Sequence, residues 1–95
     1  MKVLIKPRTQ KNIEKIAFYI VNNGYPNNAY KFVVRLENFI FTLSSYPEKF
    51  PISRHHAFAK RKFRQAIFEK NYIVFFKEVN NELHIYNILH TRRIR

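Results

Sequence analysis

Two runs of β-branched and aromatic residues, Tyr72–Val79 and Glu82–His90, flank the pair Asn80-Asn81. This stretch constrains the chain more than any other. Asparagine tolerates positive φ, so a two-residue turn closing a β-hairpin is the direct reading. Val79 then faces Glu82, and the cross-strand pairs follow by counting outward. One face is expected to carry Phe76 with Ile85, Val74 with Asn87, and Tyr72 with Leu89. The other carries Lys77 with His84, Phe75 with Tyr86, and Ile73 with Ile88, ending near His90. The first face suits a core. The second mixes aromatic and ionisable groups and runs into Thr91-Arg92-Arg93-Ile94-Arg95, so function is expected there.

Upstream, residues 1–6 alternate weakly and read as a short strand, ended by Pro7, which cannot donate to a ladder. Thr9 is the expected N-cap of the next segment. Ile13, Ile16, Ala17, Ile20 and Val21 recur at i, i+3, i+4, i+7 and i+8, the stripe of an amphipathic helix. Asn22-Asn23-Gly24 stops it, with Gly24 suited to a left-handed residue past the helix end. Pro26 fits the first turn of a second helix, in which Ala29, Phe32, Val33, Leu36, Ile40 and Leu43 repeat the spacing. Residues 46–60 read as a crossing loop with at most one helical turn. Strand character returns over residues 61–68, and a turn at Glu69-Lys70-Asn71 leads into the hairpin. The order is β-α-α-β-β-β. This predicts an α+β fold, a two-helix hairpin packed on a mostly antiparallel four-stranded sheet, as one domain over residues 1–95.

Hydrophobic residues make up 46% of the chain and aromatics 17%, which argues for a folded core and against disorder. No apolar run reaches the ~18 residues of a membrane span, and residues 1–6 are too short for a secretory leader. With no cysteine, disulfides and thiolate metal sites are excluded and a cytoplasmic location is expected. Eighteen Lys and Arg oppose six acidic residues, all Glu, for a net charge of +12. Such a domain should attract a polyanion, either nucleic acid or an acidic protein, and no membrane partner is expected. His55 and His56 are adjacent and do not readily converge on one ion, so no metal site is expected. No Gly-rich phosphate loop, Ser/His/Asp triad or carboxylate pair is legible, and no cofactor is implied.

The element order, with Tyr72-Ile73-Val74-Phe75-Phe76 through Ile88-Leu89-His90-Thr91-Arg92-Arg93, resembles the RelE/ParE superfamily of bacterial toxins. Supporting marks are the opening helix segment from Gln10 to Ile20, Pro26 followed by Ala29 and Phe32, Tyr46-Pro47, and the His-x-Arg-Arg ending. The resemblance covers nearly the whole chain. It implies a toxin of a type II toxin–antitoxin module, inhibiting growth and linked to plasmid stabilisation. Its implied partner is a cognate antitoxin, here expected to present an acidic segment. Its implied target is either DNA gyrase, as in ParE-like members, or the ribosome and its mRNA, as in RelE-like ribonucleases.

RNA cleavage by 2′-OH attack needs a base, an acid and cations for the developing phosphorane charge. The resemblance places Arg64 at a family lysine, Ala66 at a second one, and Arg93 at a C-terminal arginine. His90 lies near a histidine that other family ribonucleases use. Ile73, however, stands where the phosphate-clamping arginine follows the strand tyrosine. The candidate catalytic set is therefore Arg64, His90 and Arg93, a constellation incomplete by the RelE standard, and the gyrase reading gains. A shifted set would use His90 or His84 with Arg64, Arg92 and Arg93. Candidate target- or nucleic-acid-binding residues are Lys60, Arg61, Lys62, Lys77, His84, Tyr86 and Arg92.

Plainer roles stand beside these. The basic residues 60–64 fit a solvated strand edge, His84 an exposed imidazole, and Phe75 with Tyr86 a cross-strand aromatic pair. A non-toxic basic binding module on the same fold is the third functional class. Ile73, Phe75 and Ile88 on the mixed face predict an exposed apolar patch, and hence poor solubility without a partner.

Overall fold

Proline sets both long helix starts. β1 (Lys2–Ile5) ends just before Pro7, the first residue of α1 (Pro7–Asn22), and Pro26 opens α2 (Pro26–Leu43). At the first helical position the missing N–H costs nothing and the fixed φ already suits the helix. The computed structural model describes residues 1–54 and 56–93. Thr9 is not the N-cap. Lys6 holds that position without a side-chain bond, while Thr9 lies inside the first turn and donates its hydroxyl to the Ile85 carbonyl at 3.0 Å. Because Pro7 starts the helix earlier than the cap rule implied, the hydroxyl is freed to tie helix to sheet. At the other end Gly24 adopts φ +87°, as its sequence position suggested.

The two helical stripes meet one sheet face. Ile13 of α1 and Ala29, Phe32, Leu36, Ile40 and Leu43 of α2 are buried, with Ile16, Ile20 and Val33 half-buried beside them. After a 3-10 turn at Pro47–Lys49 come α3 (His56–Ala59), β2 (Arg64–Phe68), β3 (Tyr72–Val79), β4 (Glu82–His90) and a closing 3-10 turn, Thr91–Arg93. The sheet order is β1-β4-β3-β2. β1 runs parallel to β4, and the other two pairings are antiparallel. The expected α+β architecture is present. The second strand is shorter than residues 61–68. Lys60, Arg61 and Lys62 form a turn, with Lys62 at φ 59°, that folds α3 back so that Phe63 N–H bonds the Phe58 carbonyl.

The hairpin closes at Asn80 and Asn81, both at positive φ (51° and 63°), and Val79 faces Glu82. Counting holds as far as Phe76 opposite Ile85. There a β-bulge inserts one extra residue on β4, and the register becomes Phe75 with Asn87, Val74 with Ile88, Ile73 with Leu89 and Tyr72 with His90. The four pairings expected beyond Phe76–Ile85 are therefore wrong by one residue. The bulge has a local anchor. Asn87 Oδ1 accepts the Ile88 N–H at 2.9 Å and the Asn12 Nδ2 at 2.6 Å. It also carries Ile88 into the core beneath the helices.

Of the three residues expected in an open apolar patch, Ile73 is half-buried and the other two are buried. Ile88 is 2% exposed and Phe75 0%. Phe75 lies on the opposite sheet face but is covered by Phe58, stacked at 3.9 Å with only 10° between ring planes. Residues 56–63 form a lid over that face, which local periodicity did not reveal. Among the described residues no helix is long and apolar enough to cross a membrane.

Candidate functional site

Val74, Phe76, Leu83 and Ile85 face the long helices. Phe75, Lys77 and His84 alternate with them, and Tyr86 follows Ile85, so these four side chains occupy the other face. Phe63 and Tyr86 form its centre, with ring centroids 4.4 Å apart. Three cations surround this ring pair. The Arg61 guanidinium lies 4.8 Å from Phe63 and 5.8 Å from Tyr86; Lys77 Nζ is 5.8 Å from Phe63; Lys6 Nζ is 5.5 Å from Tyr86. Each contact of this kind is worth ~0.5–1 kcal/mol at an exposed site. Lys77 also donates to the Arg61 carbonyl at 2.9 Å, which fixes the turn to β3. Among the described residues the ion pairs are Arg35–Glu69 and His84–Glu82. None of the three cations therefore has a carboxylate partner among these residues.

His84 is not an exposed imidazole. Its side chain is 12% exposed, and Nε2 lies 3.2 Å from the Glu82 carboxylate. Nδ1 is buried with no partner among the described residues.

Arg61, Lys77, His84 and Tyr86, singled out from the sequence, thus converge. Lys60 and Lys62 are exposed in the adjoining turn, and Arg92 is exposed beyond the end of β4. Of the candidate catalytic residues, Arg64 and His90 do not converge. Arg64 donates to the Phe50 carbonyl at 2.6 Å. His90 packs edge-on against Tyr72 at 5.3 Å, and its Nδ1 accepts the Arg92 N–H at 3.2 Å. Arg64 pairs with Phe76 and His90 with Tyr72. Those partners are four residues apart on β3, which is ~13 Å along a strand. The Arg93 side chain, His55 and residues 94–95 lie outside the described residues. Sequence reasoning missed Lys6, Phe58 and Phe63. Lys6 reaches Tyr86 only because β1 docks beside β4, a contact spanning nearly the whole chain.

A cleft of about 450 Å³ lies elsewhere, between α1 and the end of β4, lined by Lys15, Tyr19, Tyr72, Leu89 and His90 among others. Burial, aided by the nearby Glu69 carboxylate and by Tyr19, raises the Tyr72 phenol above its ordinary range. Its hydroxyl stays protonated in neutral solution. The Asn12 amide in this wall is already committed to Asn87 and to the Ile88 carbonyl.

A family model described as "ParE toxin of type II toxin-antitoxin system, parDE" matches residues 3–95. No curated protein matches the chain significantly.

Proposed function

Because the chain belongs to the ParE toxin family of type II toxin–antitoxin systems, we propose that it arrests bacterial growth by binding and poisoning DNA gyrase. Membership of the family implies a cognate antitoxin. That partner presents an acidic segment to a chain of net charge +12.

One observation favours a binding mechanism over RNA cleavage: Arg64 and His90 sit far apart. Base, acid and phosphate clamp must surround a single phosphodiester. Here the Arg64 guanidinium donates to a loop carbonyl, and the backbone of Arg64 lies about 13 Å along the strand from the level of His90. The position where RelE-like ribonucleases carry a phosphate-clamping arginine holds Ile73, a half-buried apolar residue. Losing one preorganised donor typically costs ~10²–10³ in rate.

Pulse-labelling after induced expression in bacteria tests the reading. DNA synthesis should fail first while translation continues, and the purified chain should stop gyrase supercoiling. Translation failing first, with mRNA cut at codon-spaced positions, would instead establish a RelE-like ribonuclease. If both syntheses continue, the chain is a non-toxic binding module on this fold.

A further inference from the structure

We propose that the sheet face around Tyr86 binds single-stranded nucleic acid, with phosphates held by Lys6, Arg61 and Lys77 and a base resting against Tyr86. The three cations come from three separate parts of the fold: the end of β1, the turn after α3, and β3. Each nevertheless lies within 6 Å of the Phe63 or Tyr86 ring. None has a carboxylate partner among the described residues. Gathering like charges without a counter-charge is unfavourable, and an anion relieves it.

The cluster is also held in place. Lys77 is fixed to the Arg61 carbonyl, and the guanidinium packs on Phe63, which is 2% exposed and braced by Phe58. Tyr86 is only half-buried. Tyr86 reaches the cationic face by strand alternation after Ile85, and it is the extra residue of the β4 bulge, an irregularity common beside binding sites.

The ring among the cations decides the class of ligand. Cations alone would suit an acidic peptide equally well. An aromatic ring set between phosphate-binding side chains suits unstacked bases, which offer a π-face to any such platform. A duplex keeps its bases stacked on one another and presents only backbone. DNA and RNA single strands share this chemistry. The inference does not depend on gyrase as the target.

The test is fluorescence anisotropy with the full-length chain across a salt series. Its probes are short labelled oligo(dT) and oligo(U), the matching duplex, and a polyglutamate peptide. The single strands should bind more tightly than duplex or peptide, and comparing dT with U identifies the sugar. The slope of log K against log salt should be about −2, from ~0.7 per phosphate for single strands and three phosphates. Lys6→Gln, Arg61→Gln and Lys77→Gln should each flatten it by about 0.7. Tyr86→Leu should abolish the preference for single strands while keeping the slope. Lys11→Gln and Lys15→Gln on α1 remove equal charge and should leave the slope unchanged. Circular dichroism melts confirm that each variant is folded. If the α1 variants flatten the slope equally, the binding is net charge alone and the site is refuted. Polyglutamate binding as tightly as oligonucleotide would replace it with an acidic-peptide surface. Gyrase inhibition is assayed separately. A chain that poisons gyrase yet ignores oligonucleotides overturns this inference alone; the reverse result overturns the gyrase reading alone.

Discussion

The Thr9 hydroxyl donates to the Ile85 carbonyl at 3.0 Å, across 76 residues of sequence, and both side chains are fully buried. The same carbonyl accepts the Lys6 N–H at 3.0 Å. One oxygen thus holds the end of β1 and the first turn of α1 to the middle of the sheet. Thr9→Val keeps the shape and removes one donor, while Lys6 still satisfies the carbonyl. The expected loss is about 1 kcal/mol, seen as a lower urea midpoint with an unchanged slope.

The hairpin turn carries a second prediction. Asn80 and Asn81 both occupy the left-handed region, where a β-carbon without a helpful polar side chain costs about 1 kcal/mol or more. Replacing both with alanine should lower the melting temperature clearly. Asn81→Gly should leave it unchanged or raise it, because glycine meets no steric penalty at that φ.

These two sites also show what was legible in the sequence. The turn was readable because Asn-Asn between two β-rich runs is a local signal. The α2 core was readable because its apolar period is intrinsic to the helix. Thr9 was misread because a cap assignment depends on where the helix begins, and Pro7 moved that point. The bulge left a faint mark: along β4 the buried apolar residues step from Ile85 to Ile88, three positions rather than two, with Asn87 between them. Recognising it requires knowing that Asn12 on α1 waits for the Asn87 amide. The cluster around Tyr86 was half-legible. Arg61, Lys77 and His84 lie on or beside the hairpin, but Lys6 and Phe58 arrive through long-range packing.

Phe58 is the lid on Phe75. Phe58→Ala should expose the face of a ring that is otherwise 0% accessible. The stacked pair alone is worth ~0.5–1.5 kcal/mol beyond its buried area, so a loss above about 1 kcal/mol is expected. The more specific readout is a rise in fluorescence of a dye that binds apolar surface, measured where the variant is still folded. No rise would mean that another part of residues 56–63 covers Phe75.

Alkaline pH should destabilise the fold partly through Tyr72. Burial, then Glu69 and Tyr19, raise its pKa in the folded protein. In the unfolded chain it titrates near about 10. As pH rises past that value the unfolded chain releases its proton first, so stability falls until pH exceeds the folded pKa. Below about pH 9 both states hold the proton and the contribution is flat. Tyr72→Phe should therefore lose less stability than wild type between neutral and strongly alkaline pH. Lysines and the other tyrosines titrate in both proteins and cancel in the comparison. Identical pH profiles would show that Tyr72 is no harder to ionise folded than unfolded.

The last prediction bears on the mode of toxicity. Arg64 holds the 47–50 segment through the Phe50 carbonyl, and His90 packs on Tyr72 and receives the Arg92 N–H. Both side chains are thus engaged in local structure at separate levels of the sheet. A toxin that acts by binding a machine needs neither of them as acid, base or clamp. Arg64→Ala should cost about 1–2 kcal/mol, from one charged donor to a carbonyl, and His90→Ala about 1 kcal/mol or less. Both variants should still arrest growth when induced, scored as surviving colonies and matched to melting curves of the purified chains. Suppose instead that either variant loses arrest while melting like wild type. That side chain then acts on a substrate, and the search for RNA cleavage products reopens from it.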